Sequence, residues 1–490
     1  MSLAGKRISP ILSQFLAAGS ILVACTIPGH AQALTVRFSI LSLAKPATVR
    51  VEGSYPQGSS VWSFRNTYGG VVGLGERIQG LSLLDANGVP IQARRVGPGE
   101  FKAEGSATRF SFDIRLAEPA DPGDAAHVSG LNLQYGYLML ADILPTLHAS
   151  RVRVDFQLPQ LWSVASSATK EPGGVYQVPE PADAVFFVGR DLREERRRIA
   201  ATDFTLVTAG EWPFSGGELM TIATKILNDH RRHVGFDRKG KAVLMLAPFP
   251  GSFGVERWTA ETRGSNVVLL LGRNASRSAL LGQLGVVLSH ELLHLWVPNA
   301  LTLDGDYDWF FEGFTLYQAL RAAVRLGFVS FQEYLDTLAR VYDSYLATAE
   351  RDRFSLVEAS VRRWTVAPSL VYDKGVLIAF CYDLRLRRAS QSRRSLDDVY
   401  QELFRSYAPG ADRADGNEAI IKVLNKLDGD EQFSREYIQN PGSINLESLL
   451  PDYGMRLNHA GGQPQLLIDG RVDKEQRELL GSLGYRKARG

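Results

Sequence analysis

His290 and His294 stand four residues apart, with Glu291 between them, in a run whose apolar positions recur at helical spacing. Leu281, Leu284, Val287 and Leu288 precede the pair, and Leu295 and Trp296 follow it. Any fold of this chain must bury such a segment and still give two imidazoles, one turn apart on one face, a common direction to point. The spacing predicts a helix over 279–296. The pattern is H-E-x-x-H, in which both rings reach one cation while the glutamate stays off it.

A catalytic zinc needs a third protein ligand and an open position. Glu312 follows His294 after 17 intervening residues, as the lone carboxylate of Trp309-Phe310-Phe311-Glu312-Gly313-Phe314-Thr315. An acid in so apolar a stretch requires a strong partner, and a cation is one. The other reading is a partly exposed acid at a helix start, favoured by the helix dipole. With the upstream histidines present, Glu312 is the expected third ligand. Glu291 is then the expected general base, taking a proton from water and returning it to the leaving amine. A closed structural site remains the alternative. Such sites favour four ligands rich in cysteine, and the chain has only Cys25 and Cys381. One Zn2+ per chain is therefore the expected cofactor.

Around this centre the periodicity predicts an α+β protein. From Leu34 to about Trp162 it is that of strands. Phe110, Phe112, Ile114 and Leu116 alternate with polar residues, as do Val152, Val154 and Phe156. One buried and one wet face suggest an N-terminal antiparallel β-sandwich-like domain over 34–180. The stretch 171–183, rich in Pro and Gly, reads as a boundary. A sheet lobe over 184–275 follows, with a helix at 217–232 and buried strands at 242–247 and 267–271. Arg196-Arg197-Arg198 reads as a solvated helix face. A helical lobe over 276–457 is expected to hold helices near 279–296, 310–325, 331–350, 370–388, 395–407, 416–427 and 445–450. Residues 458–490 remain as a C-terminal tail. Cys381, between apolar neighbours, reads as a buried thiol.

Of the 490 residues 45% are apolar and 22% charged, which fits a packed protein. The net charge of +2 equals Lys6 and Arg7 alone. A balanced body has no bulk attraction for nucleic acid. Lys6 and Arg7 open an apolar run from Ile11 to Ala24, and Ala31-Gln32-Ala33 follows with small residues at cleavage spacing. This predicts a signal peptide over 1–33 and an exported, periplasmic or extracellular protein. Leu22-Val23-Ala24-Cys25 supports the alternative of a lipoprotein tethered by a lipid anchor at Cys25. No later segment is apolar enough for a transmembrane span.

The zinc helix and Trp309 to Tyr317 resemble the glycyl aminopeptidase family of gluzincin metallopeptidases, whose segment reads W-x-x-E-G-F-T-x-Y. Ser355-Leu356-Val357-Glu358-Ala359-Ser360 with Trp364 is similar to its S-L-x-E-A-S…W stretch, and Tyr372-Asp373-Lys374-Gly375 to its Y-x-K-G. The resemblance spans about 240–457. It implies a thermolysin-like catalytic domain, peptide substrates and aminopeptidase action, with a zinc endopeptidase or a silent zinc-containing binding protein as alternatives. It also implies that Tyr372 hydrogen-bonds the oxyanion. Gly254-Val255-Glu256-Arg257 stands where the family has G-G-L-E-H, so Glu256 is the implied anchor for the substrate amine. The family often ends in a PDZ domain, for which the 33 residues after Leu457 are too few.

Overall fold

The computed structural model describes residues 33–149, 151–249, 257–272, 276–365, 367–459 and 464–486. Glu256, Cys25 and most of the leader lie outside the described residues.

The alternating segments build two N-terminal sheets. Ala47–Ser63 and Glu100–Leu116 pair near the middle of a nine-stranded sheet. Phe110, Phe112, Ile114 and Leu116 are buried there, while Arg115 between them is exposed. The expected antiparallel pairing has one exception, since Leu34–Ser42 runs parallel to Val152–Gln157. Parallel neighbours need a long crossover, and the chain between them supplies five strands of this sheet and two of the next.

The second sheet runs in the order Trp162–Ala165, Val185–Arg190, Tyr135–Met139, Gly130–Leu131. Both of its faces are buried. Leu138, Phe186 and Val188 join the core of the nine-stranded sheet. Tyr137, Met139, Val185 and Phe187 pack against Val207, Val243, Met245, Val268 and Leu270 of the next layer. A strand buried on both faces reads as a continuous apolar run. Val185–Arg190 is such a run, lying just after the Pro- and Gly-rich boundary read at 171–183. Its pairing with Tyr135–Met139 and Trp162–Ala165 carries the N-terminal region past the junction read at 180–184.

The third layer is a five-stranded sheet in the order Arg193–Ile199, Thr202–Thr208, Gly240–Pro248, Asn266–Leu271, Trp258–Arg263. The arginine cluster 196–198 is thus in an edge strand and not on a helix. Its charged side chains lie along an exposed edge, where they discourage pairing with another chain. The sheet's far face, with Phe204, Leu206, Leu244, Leu246, Val267 and Leu269, packs on helices Gly216–Val234 and Arg277–Glu291.

The remaining helices fall close to the expected positions, at Thr315–Leu326, Phe331–Ala347, Gly375–Ala389, Leu396–Tyr407 and Gly416–Asp428. A helix not anticipated, Leu356–Val361, begins at a Ser355–Glu358 capping box. The segment read as a tail is part of the lobe. Gln465–Ile468 pairs with Met455–Asn458, and helix Lys474–Ser482 buries Leu479 and Leu480. Arg321 and Arg387 donate to the carbonyls at its end. Cys381 is buried, and burial pushes its thiol up to about 12. Among the described residues no helix is long and apolar enough to cross a membrane.

Candidate metal centre

Helix Arg277–Glu291 stops at Glu291, and His294 sits in a 3-10 turn, Leu293–Leu295, rather than in a continuous helix to 296. Pro298 follows closely and cannot continue a helix. The rings still meet, with centroids 4.4 Å apart and Nε2 atoms 3.0 Å apart. His294 Nδ1 lies 2.9 Å from the Val297 carbonyl. A carbonyl only accepts, so Nδ1 carries the proton and the lone pair of the neutral ring is on Nε2, facing His290. His290 Nδ1 is buried and has no hydrogen-bond partner among the described residues.

Glu312 lies in a π-helical turn, Trp309–Phe314, that leads into helix Thr315–Leu326. It is buried, which removes the reading as a wet N-terminal acid. Its two oxygens are divided. Oε2 is 3.4 Å from His290 Nε2 and 3.6 Å from His294 Nε2, while Oε1 accepts from Arg363 at 2.9 Å. Four ligands at Zn–N distances of about 2.0–2.1 Å in a tetrahedron would stand about 3.3 Å apart. The three donor atoms here, at 3.0, 3.4 and 3.6 Å from one another, fit that spacing.

The groups at this point favour one another's charged forms. Burial acts to lower the His294 pKa, but the Glu312 carboxylate, with Glu291 and the Val297 carbonyl, outweighs it and raises it to about 9. Burial would raise Glu312, yet Arg363 and the two histidines hold it well below the usual carboxylate range. A divalent cation satisfies the same lone pairs without the proton.

Glu291 is buried beside the pair, and Thr262 donates to its Oε2 at 2.9 Å. Tyr372 stands in a second π-helical turn, Leu370–Lys374. Its oxygen accepts from Arg363 at 2.5 Å. Burial, reinforced by Glu312, raises the phenol pKa above its ordinary value, so it stays protonated. Arg363 also donates to Asp308 at 2.7 Å and stacks on Trp364, 4.2 Å from its ring centre. The two π turns cross at glycines. A Cβ on Gly313 would stand 2.5 Å from Gly375 Cα, so only glycine allows this approach.

These groups line one cleft of about 660 Å³. Its other wall is strand Trp258–Arg263, whose period-two alternation turns Thr262 toward Glu291 and its neighbours Glu261 and Arg263 toward the N-terminal sheets. There Glu261 accepts from Tyr68 at 2.5 Å and lies 2.6 Å from His127 Nδ1. Trp258 and Trp364 are 41% and 49% exposed, large apolar surfaces left open at the cleft. The structure therefore brings together His290, Glu291, His294, Glu312 and Tyr372. Sequence reading missed Arg363, Asp308 and Thr262. Only the adjacency of Arg363 to Trp364, within a recognised stretch, signalled any of them.

A family model described as M61 glycyl aminopeptidase matches residues 283–378, a span holding all five of these residues and Arg363. No curated protein sequence matches the chain. Among solved structures, an aminopeptidase N family protein from Idiomarina loihiensis superposes with a TM-score of 0.74 at 17% identity, covering 90% of this chain and 82% of that one. An M1 zinc metallopeptidase from Deinococcus radiodurans gives 0.55 at 14% identity over 85% of this chain and 95% of that one. A variant of that enzyme bound to a Tyr-Ser-Ala substrate gives 0.53 at 15% identity, covering 84% and 94%. At these identities the likeness is one of fold.

Proposed function

We propose that this chain, gluzincin aminopeptidase-like by its matched segment and its fold, is a zinc-dependent peptidase that removes residues from the free N-terminus of peptides. The observation that carries the reading is the convergence of His290 Nε2, His294 Nε2 and Glu312 Oε2 beside Glu291, which is not one of the three converging donors. A zinc ion held by those three atoms would supply Lewis acidity to a water and to the scissile carbonyl.

The chain's own residues supply the rest. Glu291, oriented by Thr262, takes the proton of the attacking water and delivers it to the leaving amine. Arg363 can only donate, so it occupies a lone pair of the Tyr372 oxygen and leaves the phenol hydrogen free. That hydrogen points its bond at the developing oxyanion and strengthens it in the transition state. Trp258 and Trp364 offer apolar surface to substrate side chains. Glu256 remains the proposed amine anchor, on its position in the G-V-E-R stretch. Export with cleavage after Ala33, or tethering at Cys25, stays a proposal from the leader, tested by mass spectrometry of the mature N-terminus.

Elemental analysis with turnover on a peptide library tests the centre. Wild type should hold one zinc and lose activity to a chelator. His294→Ala should lose most of the metal, and Glu291→Gln should keep it while losing about 10²–10⁴-fold in kcat. Full metal in the first variant, or near-normal turnover in the second, contradicts the assignment.

A further inference from the structure

The cleft holds a guanidinium that the chemistry above does not use and that no described acid pairs. Arg65, between strands Ala47–Ser63 and Thr67–Tyr68, lines the same cavity as the metal-facing residues and is partly buried. Its guanidinium lies over the Tyr68 ring, 4.8 Å from the centroid, and makes no hydrogen bond or ion pair with any described residue. The acids nearest in charge are already taken. Glu261 is engaged by Tyr68 at 2.5 Å, His127 at 2.6 Å and Arg263 at 3.3 Å. Asp142 is paired with Arg77 at 3.0 Å. Asp183 also lines the cleft but is not paired with Arg65.

A second guanidinium, that of Arg263, lies over the same ring at 4.2 Å. Two guanidinium groups thus stand over one aromatic ring, and of the two only Arg263 has an ion-paired carboxylate, Glu261. Burial, and then the Arg263 charge, lower the pKa of Arg65, a cost that a bound anion would relieve. The free fork of a guanidinium matches a carboxylate with two parallel hydrogen bonds. A cleft of about 660 Å³ is of the size that takes a small ligand, and Arg65 lines it together with the metal-facing residues.

We propose that Arg65 is an anion-binding group of the substrate cleft and takes a carboxylate of the bound peptide. That carboxylate is either the C-terminus of a short peptide or an acidic side chain. The inference rests on the peptidase reading and adds a substrate class to it.

Calorimetry on zinc-loaded Glu291→Gln protein tests it without turnover. One pair of ligands is Ala-Ala-Ala as free acid and as C-terminal amide. The second is the amides of Ala-Asp-Ala and Ala-Asn-Ala. In at least one pair the carboxylate form should bind about tenfold tighter, the value of a charge-assisted contact. The pair that responds identifies the source. Adding Arg65→Gln should bring the acid peptide to the affinity of its neutral partner, and Arg65→Lys should keep part of the preference. Equal affinities in both pairs, no binding at all, or a preference that survives Arg65→Gln overturns the subsite. Wild-type cleavage of the same peptides separates the two claims. Cleavage without carboxylate preference sinks the subsite alone. Carboxylate-dependent binding without cleavage sinks the peptidase reading alone.

Discussion

Asp308, Glu312 and Tyr372 all meet one guanidinium, that of Arg363. Removing it leaves the buried Asp308 without its counter-charge and Glu312 with the histidines alone, and breaking a buried pair costs about 3–5 kcal/mol. Arg363→Ala should therefore lower the urea midpoint by an amount equivalent to about 3 kcal/mol, and a wild-type midpoint would contradict that. Tyr372→Phe removes only the donor. It should lower kcat by about 10²-fold with little change in KM, because its bond forms chiefly in the transition state. The histidines and Glu291 were legible from spacing, since helix geometry brings positions four apart together. Arg363 was not. Its partners lie 51 to 55 residues upstream and nine downstream, and no local pattern encodes such convergence.

At the scale of elements, the metal-facing wall depends on two π turns crossing at Gly313 and Gly375. Gly313→Ala would force the strained contact apart, an overpacking cost of about 1–3 kcal/mol, and move Glu312 from the histidines. Reduced zinc content alongside the lower stability is the expected result; normal zinc content would show that the crossing does not set the site. Helix periodicity located these segments in sequence, but not their π turns or the 3-10 turn at His294. Those follow from tertiary contacts such as the glycine crossing. A second contact between elements is titratable. Asp397, at the start of helix Leu396–Tyr407, lies 2.6 Å from His233 Nδ1 and accepts from Gln318 at 2.5 Å. Burial acts to raise its pKa, but His233, Arg325 and Gln318 prevail and hold it at about 2. A depressed carboxylate stabilises the fold above its unfolded pKa and loses that contribution as pH falls through the folded value. Wild type should exceed Asp397→Asn by about 2 kcal/mol near pH 6, with the gap shrinking below about pH 4. A gap unchanged in acid urea titrations would contradict the linkage.

Across the whole molecule, the four-stranded sheet is the joint between the N-terminal region and the catalytic layers. Its inner face covers Val207, Val243, Met245, Val268 and Leu270. A chain reduced to 191–490 should expose that face and aggregate, as large apolar patches do. A soluble, monomeric fragment would contradict this view of the joint. The layer order was partly legible, because one-sided strands alternate, whereas strands buried on both faces lose that mark and blurred the boundary. The N-terminal region also reaches the cleft through Tyr68 and His127, a contribution that sequence alone could not place. The central claim, that this cleft trims peptides from a free amine, is tested most directly by mass spectrometry of one peptide in free and N-acetylated forms. After incubation with the zinc-loaded protein, the free peptide should shorten from its N-terminus and the acetylated form should persist. Equal cleavage of both forms, or no cleavage of either, would contradict the account.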